Sequence, residues 1–204
     1  MGSKGIPTYH LSVVVDDHVT NISHVIRGEE CLSSTPIHIL LYNYFQWDLP
    51  TFIHLPLLLN PDKSKLSKRH GAKSVLEYRD EGYLPEALFN YLVLLGWSPG
   101  DDTEIMGKSE IVKRFSIKRI SESPAVFDPE KLEWMNGIYI RNLSTSNLAQ
   151  RILPYLEKPE KDGGLSDTIE RPINSNLLIK IVPHIRERLK TLLYVKEMID
   201  FIYL

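Results

Sequence analysis

The sequence predicts a parallel α/β unit followed by a mostly helical half, and three observations carry that prediction. Up to about residue 59, β-branched or apolar runs of strand length alternate with a helical apolar stripe. A basic loop, Lys63 to Lys73, then interrupts the pattern. Beyond it, apolar residues recur at helical spacing.

The elements follow in order. Tyr9 to Val19 mixes apolar and polar residues and predicts a short helix. Ile22 to Ile26 reads as a strand ending at Arg27-Gly28. Ile37, Leu40, Leu41, Tyr44 and Phe45 fall at i, i+3, i+4, i+7 and i+8, an amphipathic helix capped by Ser34 or Thr35 with Pro36 in its first turn. Thr51 to Leu59 is an apolar run of strand length, so strand, helix and strand suggest half of a parallel sheet. Leu84, Leu88, Tyr91, Leu92 and Leu95 make a stripe with Pro85 near its start and Gly96 at its end. Asp128-Pro129 opens another helix, which Asn136-Gly137 is expected to close. Ser144 to Leu156 is a third helix, Pro159 to Asn176 reads as a polar loop or linker, and Leu189 to Leu204 returns to a helical pattern.

Composition bounds the function. The 204 residues allow one or two domains with a real core. Net charge is −2, so nucleic-acid binding has to rest on a local basic patch. The single cysteine, Cys31, excludes an intrachain disulfide and fits a reducing compartment, the cytoplasm or an organelle matrix. No apolar run approaches the roughly 20 residues that span a bilayer, so no membrane partner is expected. There is no Gly-rich loop ending in Gly-Lys-Ser/Thr and no GxGxxG after a strand, which disfavours P-loop and dinucleotide folds.

Lys65-Leu66-Ser67-Lys68-Arg69 is the most specific motif. Two lysines three apart, around a serine, suit a polyphosphate whose charge shifts during reaction. Alone, such a stretch is more often a solvated turn, and a nuclear-localisation signal has the same composition. The order of the segments carries more weight. Pro7-Thr8-Tyr9-His10, Val14-Val15-Asp16-Asp17-His18, Val25-Ile26-Arg27-Gly28-Glu29-Glu30 and Ser34-Thr35-Pro36 precede the loop. In that order the chain resembles the second half of a class I aminoacyl-tRNA synthetase, of the bacterial glutamyl-tRNA synthetase type. The resemblance runs from about Gly5 to Arg141 and returns at Arg186 to Leu193.

That resemblance implies the second half of a Rossmann-type sheet over residues 5–59, a signature loop and helical stem-contact region over 60–143, and the start of a helical anticodon-binding domain over 144–204. It implies ATP-dependent activation of glutamate to glutamyl-adenylate and transfer to tRNA(Glu), with ATP and Mg²⁺ arriving together. Lys65 and Lys68 take the catalytic role on the leaving pyrophosphate. Glu30, Leu58 and Ser67 join them at ATP, Glu30 near the ribose and Leu58 through its backbone at the adenine. Tyr9 and Arg27 line the glutamate pocket. Lys63, Arg69 and Lys73 are expected at tRNA. Without the resemblance, Arg27 reads as an ion pair with Glu29 or Glu30 and Tyr9 as half-buried packing.

Asp16-Asp17-His18 looks like a metal set, but adjacent residues rarely converge on one ion, and no bound metal is expected here. Cys31 stands where a tryptophan or histidine is common in the family, and Val13 where some members have asparagine. The His-x-Gly-His signature that opens the family's catalytic domain is absent. The chain is therefore expected to be an internal fragment or truncated copy, inactive alone, with the missing N-terminal half as a partner. The alternative is a non-catalytic fragment that binds tRNA or another partner.

Overall fold

In the computed structural model, residues 5–67 and 73–203 are described. Helix α1 (Tyr9–Val19) leads through a tight turn, with Asn21 at φ 56°, into strand β1 (His24–Gly28). The strand starts two residues later than expected because Ile22 closes that turn, its N–H donating to Asp17 O at 2.9 Å. A 3-10 segment, Glu29–Ser34, feeds helix α2 (Thr35–Tyr44), and strand β2 (Thr51–Leu55) returns parallel to β1. The register pairs Arg27 with His54 and Gly28 with Leu55.

The single strand expected over Thr51 to Leu59 is two. Pro56 has no N–H to continue the ladder. After it, β3 (Leu58–Leu59) leaves the first sheet and pairs in parallel with β4 (Ala125–Val126). The apolar stripe of α2 also faces the other way from its expected role. Thr35, His38 and Tyr42 are its buried residues, whereas Leu40 is 55% and Tyr44 83% exposed.

The remainder is helical. Helix α3 (Val75–Asp80) was not legible as a stripe; it is fixed by a capping box between Ser74 and Glu77. Helix α4 (Pro85–Gly96) follows as expected. Helix α5 (Lys108–Arg114) is short and amphipathic for only two turns. Helix α6 (Pro129–Asn142) does not end at Asn136-Gly137 but runs on. Asn136 is buried inside it and uses its side chain tertiarily, accepting from Leu84 N–H at 2.8 Å and donating to Lys190 O at 2.6 Å. Gly137 lies within the helix, with the Arg141 side chain and the Leu189 carbonyl beside it.

Helix α7 (Thr145–Leu156) matches expectation. The segment read as a linker is folded instead: Leu165 and Ile173 are buried in the main core, and the Arg171 guanidinium donates to the carbonyls of Lys158, Leu165, Ser166 and Ile169. Helix α8 (Ser175–Ile185) carries Pro183 and was hidden by it. The terminal pattern resolves into a 3-10 turn, Leu192–Tyr194, and helix α9 (Val195–Tyr203). The largest core joins α6 to α9 through Ile140, Leu148, Ile152, Leu178, Val182 and Ile199, and a second lies between α4 and α6. By contrast, α1, α2 and the first sheet bury few apolar side chains, chiefly Val14 and Tyr42.

Candidate functional site

Parallel strands β1 and β2 run side by side and end together at Gly28 and Leu55. The crevice beyond the carboxyl ends of parallel strands is where α/β folds bind ligands. Arg27 sits in that last turn of β1. Its guanidinium donates from Nη2 to Thr35 Oγ1 at 2.7 Å and from Nε to His54 Nε2 at 3.3 Å. Its Nη1 lies 3.2 Å from His38 Nδ1, and the plane rides over the Phe52 ring at 5.6 Å. The bland expectation, an ion pair with Glu29 or Glu30, is not what Arg27 makes.

Tyr9 opens α1 beside this cluster, 60% exposed, with its ring 6.1 Å from that of His38 and 5.4 Å from that of His10. His38 Nε2 meets His10 Nδ1 at 3.0 Å. Burial, then the Arg27 charge, then His10 hold the His38 pKa below the ordinary histidine value. His10, Thr35, His38 and His54 were not singled out from the sequence. The one signal for His54 was its register opposite Arg27, which only the pairing reveals. The sequence offers Ser34 or Thr35 as the cap of α2; Ser34 takes that position, and the Thr35 hydroxyl accepts from Arg27.

Glu30 follows β1 by two residues. Its carboxylate folds back over Gly28, where a Cβ would come within 2.2 Å of Glu30 Oε2. Lys65 Nζ stands 4.0 Å from Glu30 Oε1, which brings the basic loop to the same end of the sheet as Arg27. The loop is built for this. Asn60 and Ser64 close a turn in which Lys63 takes φ 66°, and Ser64 is anchored on Asp62. Lys65 then bridges back antiparallel to Leu59, and Leu66 N–H donates to Leu58 O at 2.9 Å. A backbone contact from Leu58 to a base is thus left to its amide or to the carbonyl's second lone pair. Ser67 follows immediately, while Lys68 and Arg69 lie outside the described residues. Lys73 is bound to its own chain, with Nζ 2.5 Å from Glu81 and over the Tyr78 ring.

Asp16-Asp17-His18 does not converge. His18 stacks on Trp47 with ring centroids 3.8 Å apart, and burial followed by Asp16 raises the Asp17 carboxyl pKa. Among the described residues, no group of three or more His, Cys, Asp or Glu could hold a metal ion, and no helix is long and apolar enough to cross a membrane.

Two parallel strands that end beside an oriented guanidinium and a lysine loop are the arrangement expected of a class I synthetase catalytic domain. The chain belongs to the class I tRNA synthetases for glutamate and glutamine, whose catalytic-domain model matches residues 2–134. It is 47% identical over 201 residues to the glutamate–tRNA ligase of Dehalococcoides mccartyi strain 195, covering 98% of this chain and 40% of that protein. The glutamate–tRNA ligase of Moorella thermoacetica is 45% identical over 201 residues, with the same coverage. A crystal structure of a glutamate tRNA ligase from Elizabethkingia meningosepticum, in complex with its amino acid, superposes with a TM-score of 0.79 at 35% identity. That match covers 98% of this chain and 42% of that one. The chain thus spans about two fifths of the length of the relatives it matches.

Proposed function

We propose that this chain supplies the lysine loop and the amino-acid-binding strand of a glutamate–tRNA ligase acting in the cytoplasm. The observation that carries the reading is the meeting of Arg27, Glu30 and Lys65 at the carboxyl ends of β1 and β2. Glutamate attacks the α-phosphate of ATP, giving glutamyl-adenylate and pyrophosphate. The Arg27 guanidinium accepts a substrate carboxylate as a planar fork, and Tyr9 closes the rim. Lys65, released from its exposed contact with Glu30, and Lys68 close over the pyrophosphate as its charge builds. Glu30 then turns to the ribose, Leu58 to the adenine and Ser67 to the phosphates. Mg²⁺ enters on the ATP phosphates, held mainly by them and by water.

Lys63 and Arg69 are the RNA-facing cations in this reading, and Lys73 joins them only if it leaves Glu81. Residues 5–59, 60–143 and 144–204 act as a sheet half, a stem-contact region and the start of an anticodon-binding domain. Full activity requires the part of the synthetase that bears the His-x-Gly-His signature. The test is glutamate-dependent ATP–pyrophosphate exchange by this chain together with that part of a relative. Lys68→Ala is expected to slow exchange about a hundredfold, the effect of losing one preorganised charge. Unchanged exchange with only weaker tRNA affinity would make the loop a plain RNA contact and favour the non-catalytic reading.

A further inference from the structure

Arg27 constrains the protonation of the groups it touches. A guanidinium has five N–H donors and no acceptor. His38 Nδ1, 3.2 Å from Arg27 Nη1, must therefore carry a lone pair. Neutral His38 then has its proton on Nε2, aimed at His10 Nδ1 at 3.0 Å, which must in turn accept. On the other side, His54 Nε2 accepts from Arg27 Nε at 3.3 Å, which puts the His54 proton on Nδ1. Thr35 Oγ1 accepts from Nη2 at 2.7 Å and, with the His54 Nε2 lone pair already taken by Arg27, sends its single proton to the Cys31 carbonyl at 3.3 Å.

These contacts use three of the five guanidinium N–H groups. Among the described residues, one N–H on Nη1 and one on Nη2 have no partner, donors that an anionic ligand such as a carboxylate can use. We propose that His38, His54 and Thr35 are positioning residues that hold the Arg27 guanidinium in one plane, and that they do so only while His38 is the neutral Nε2–H tautomer. The carboxylate as ligand rests on the reading of Arg27 given above; the tautomers do not.

The groups facing His38 are Arg27 from β1, with His54 of β2 behind it, and Tyr9 and His10 from α1, with Thr35 on its own helix. A proton added to Nδ1 would remove the acceptor and set a second cation against Arg27. Burial, then the Arg27 charge, then His10 hold the His38 pKa down, so the tautomer persists to lower pH than an ordinary histidine would allow. The sign follows: a folded-state pKa below the unfolded one leaves stability complete above the ordinary histidine pKa and reduces it as pH falls through that range.

The test is nitrogen NMR of the 204-residue chain labelled at histidine and arginine. His38 is expected as Nε2–H, and still so at a pH where an exposed histidine is half protonated. His38→Gln keeps an acceptor and a donor and is expected to leave the Arg27 Nη signals distinct. His38→Leu removes both and is expected to let those signals average. An Nδ1–H tautomer at His38, or Arg27 signals indifferent to His38→Leu, overturns the proposal. If His38→Leu fails to fold, the wild-type titration and His38→Gln decide it. Adding L-glutamate separates the two readings. The expected tautomers without any glutamate shift at Arg27 would uphold the positioning set and count against Arg27 as the glutamate contact.

Discussion

At the scale of residues, Arg27 is the side chain on which the proposed amino-acid pocket rests. Thr35, His38 and His54 hold it with no carboxylate among them, so these contacts leave its charge unpaired. Arg27→Lys in the assembled enzyme keeps the charge but loses the planar fork and the Thr35 and His54 contacts. We expect calorimetry to show glutamate affinity falling about tenfold or more, with ATP affinity nearly unchanged, since a hydrogen bond to a charged group contributes roughly 1.5–3 kcal/mol. Equal loss of both ligands would make Arg27 a scaffold residue. The arginine was legible in the sequence because it ends an apolar strand within an ordered series of motifs. Its partners were not, since Thr35, His38 and His54 lie 8, 11 and 27 positions away and converge only through the 3-10 turn, helix α2 and strand pairing.

At the scale of elements, the longer helices with an apolar stripe were legible in the sequence, α4 and α7 among them, whereas the short helices α3 and α5, of six and seven residues, carry too few positions to show one. The expected stop at Asn136-Gly137 is an exception: both residues usually mark helix ends, yet here Asn136 serves as a tertiary bracket and the helix runs on through Gly137. Two glycines should respond oppositely to alanine. At Gly137 the new Cβ meets the flexible Arg141 end at 3.2 Å and the Leu189 carbonyl at an ordinary 3.5 Å. Helix propensity should then dominate, and Gly137→Ala is expected to stabilise by about 0.5–1 kcal/mol. At Gly82, with φ 86°, a Cβ would lie 2.5 Å from the Leu193 amide nitrogen. Gly82→Ala is expected to destabilise by at least ~2 kcal/mol, from left-handed strain plus a backbone clash. Urea unfolding of both variants measures this, and the same sign at both sites would contradict the packing described.

Helices α4 and α7 are joined by a two-pronged ion pair, Arg151 to Glu86, at 2.7 and 3.0 Å. The Arg151 hydrogen bond is the main cause of a Glu86 pKa below the usual carboxylate range. A depressed carboxylate contributes stability above its unfolded pKa and loses that contribution as pH falls through its folded pKa. The pair is solvent-exposed, so its contribution is no more than about 1 kcal/mol. Glu86→Gln should therefore lower stability slightly at neutral pH and have no further effect once the carboxyl is protonated, as read from urea unfolding at several pH values.

At the scale of the whole molecule, the two parts of the chain are unequally provided with core. The helices α6 to α9 close around a continuous apolar interior. The first sheet has two strands among the described residues, and Ile26 on β1 and Ile37, Leu40 and Tyr44 on helix α2 are exposed. The order of the motifs made the family legible, and the helical half was legible in outline. The division of the apolar run at Pro56 between two sheets was not, because pairing partners 67 residues apart leave no local signal. The central claim is that the site at the ends of β1 and β2 is one part of a divided catalytic centre whose power depends on alignment. Proximity and orientation contribute roughly 7–11 kcal/mol in well-aligned systems. The direct measurement is tRNA(Glu) aminoacylation by the purified 204-residue chain, alone and mixed with the part of a relative that bears the His-x-Gly-His signature. The account predicts no charging by either piece and charging by the mixture. Robust charging by this chain alone would contradict it.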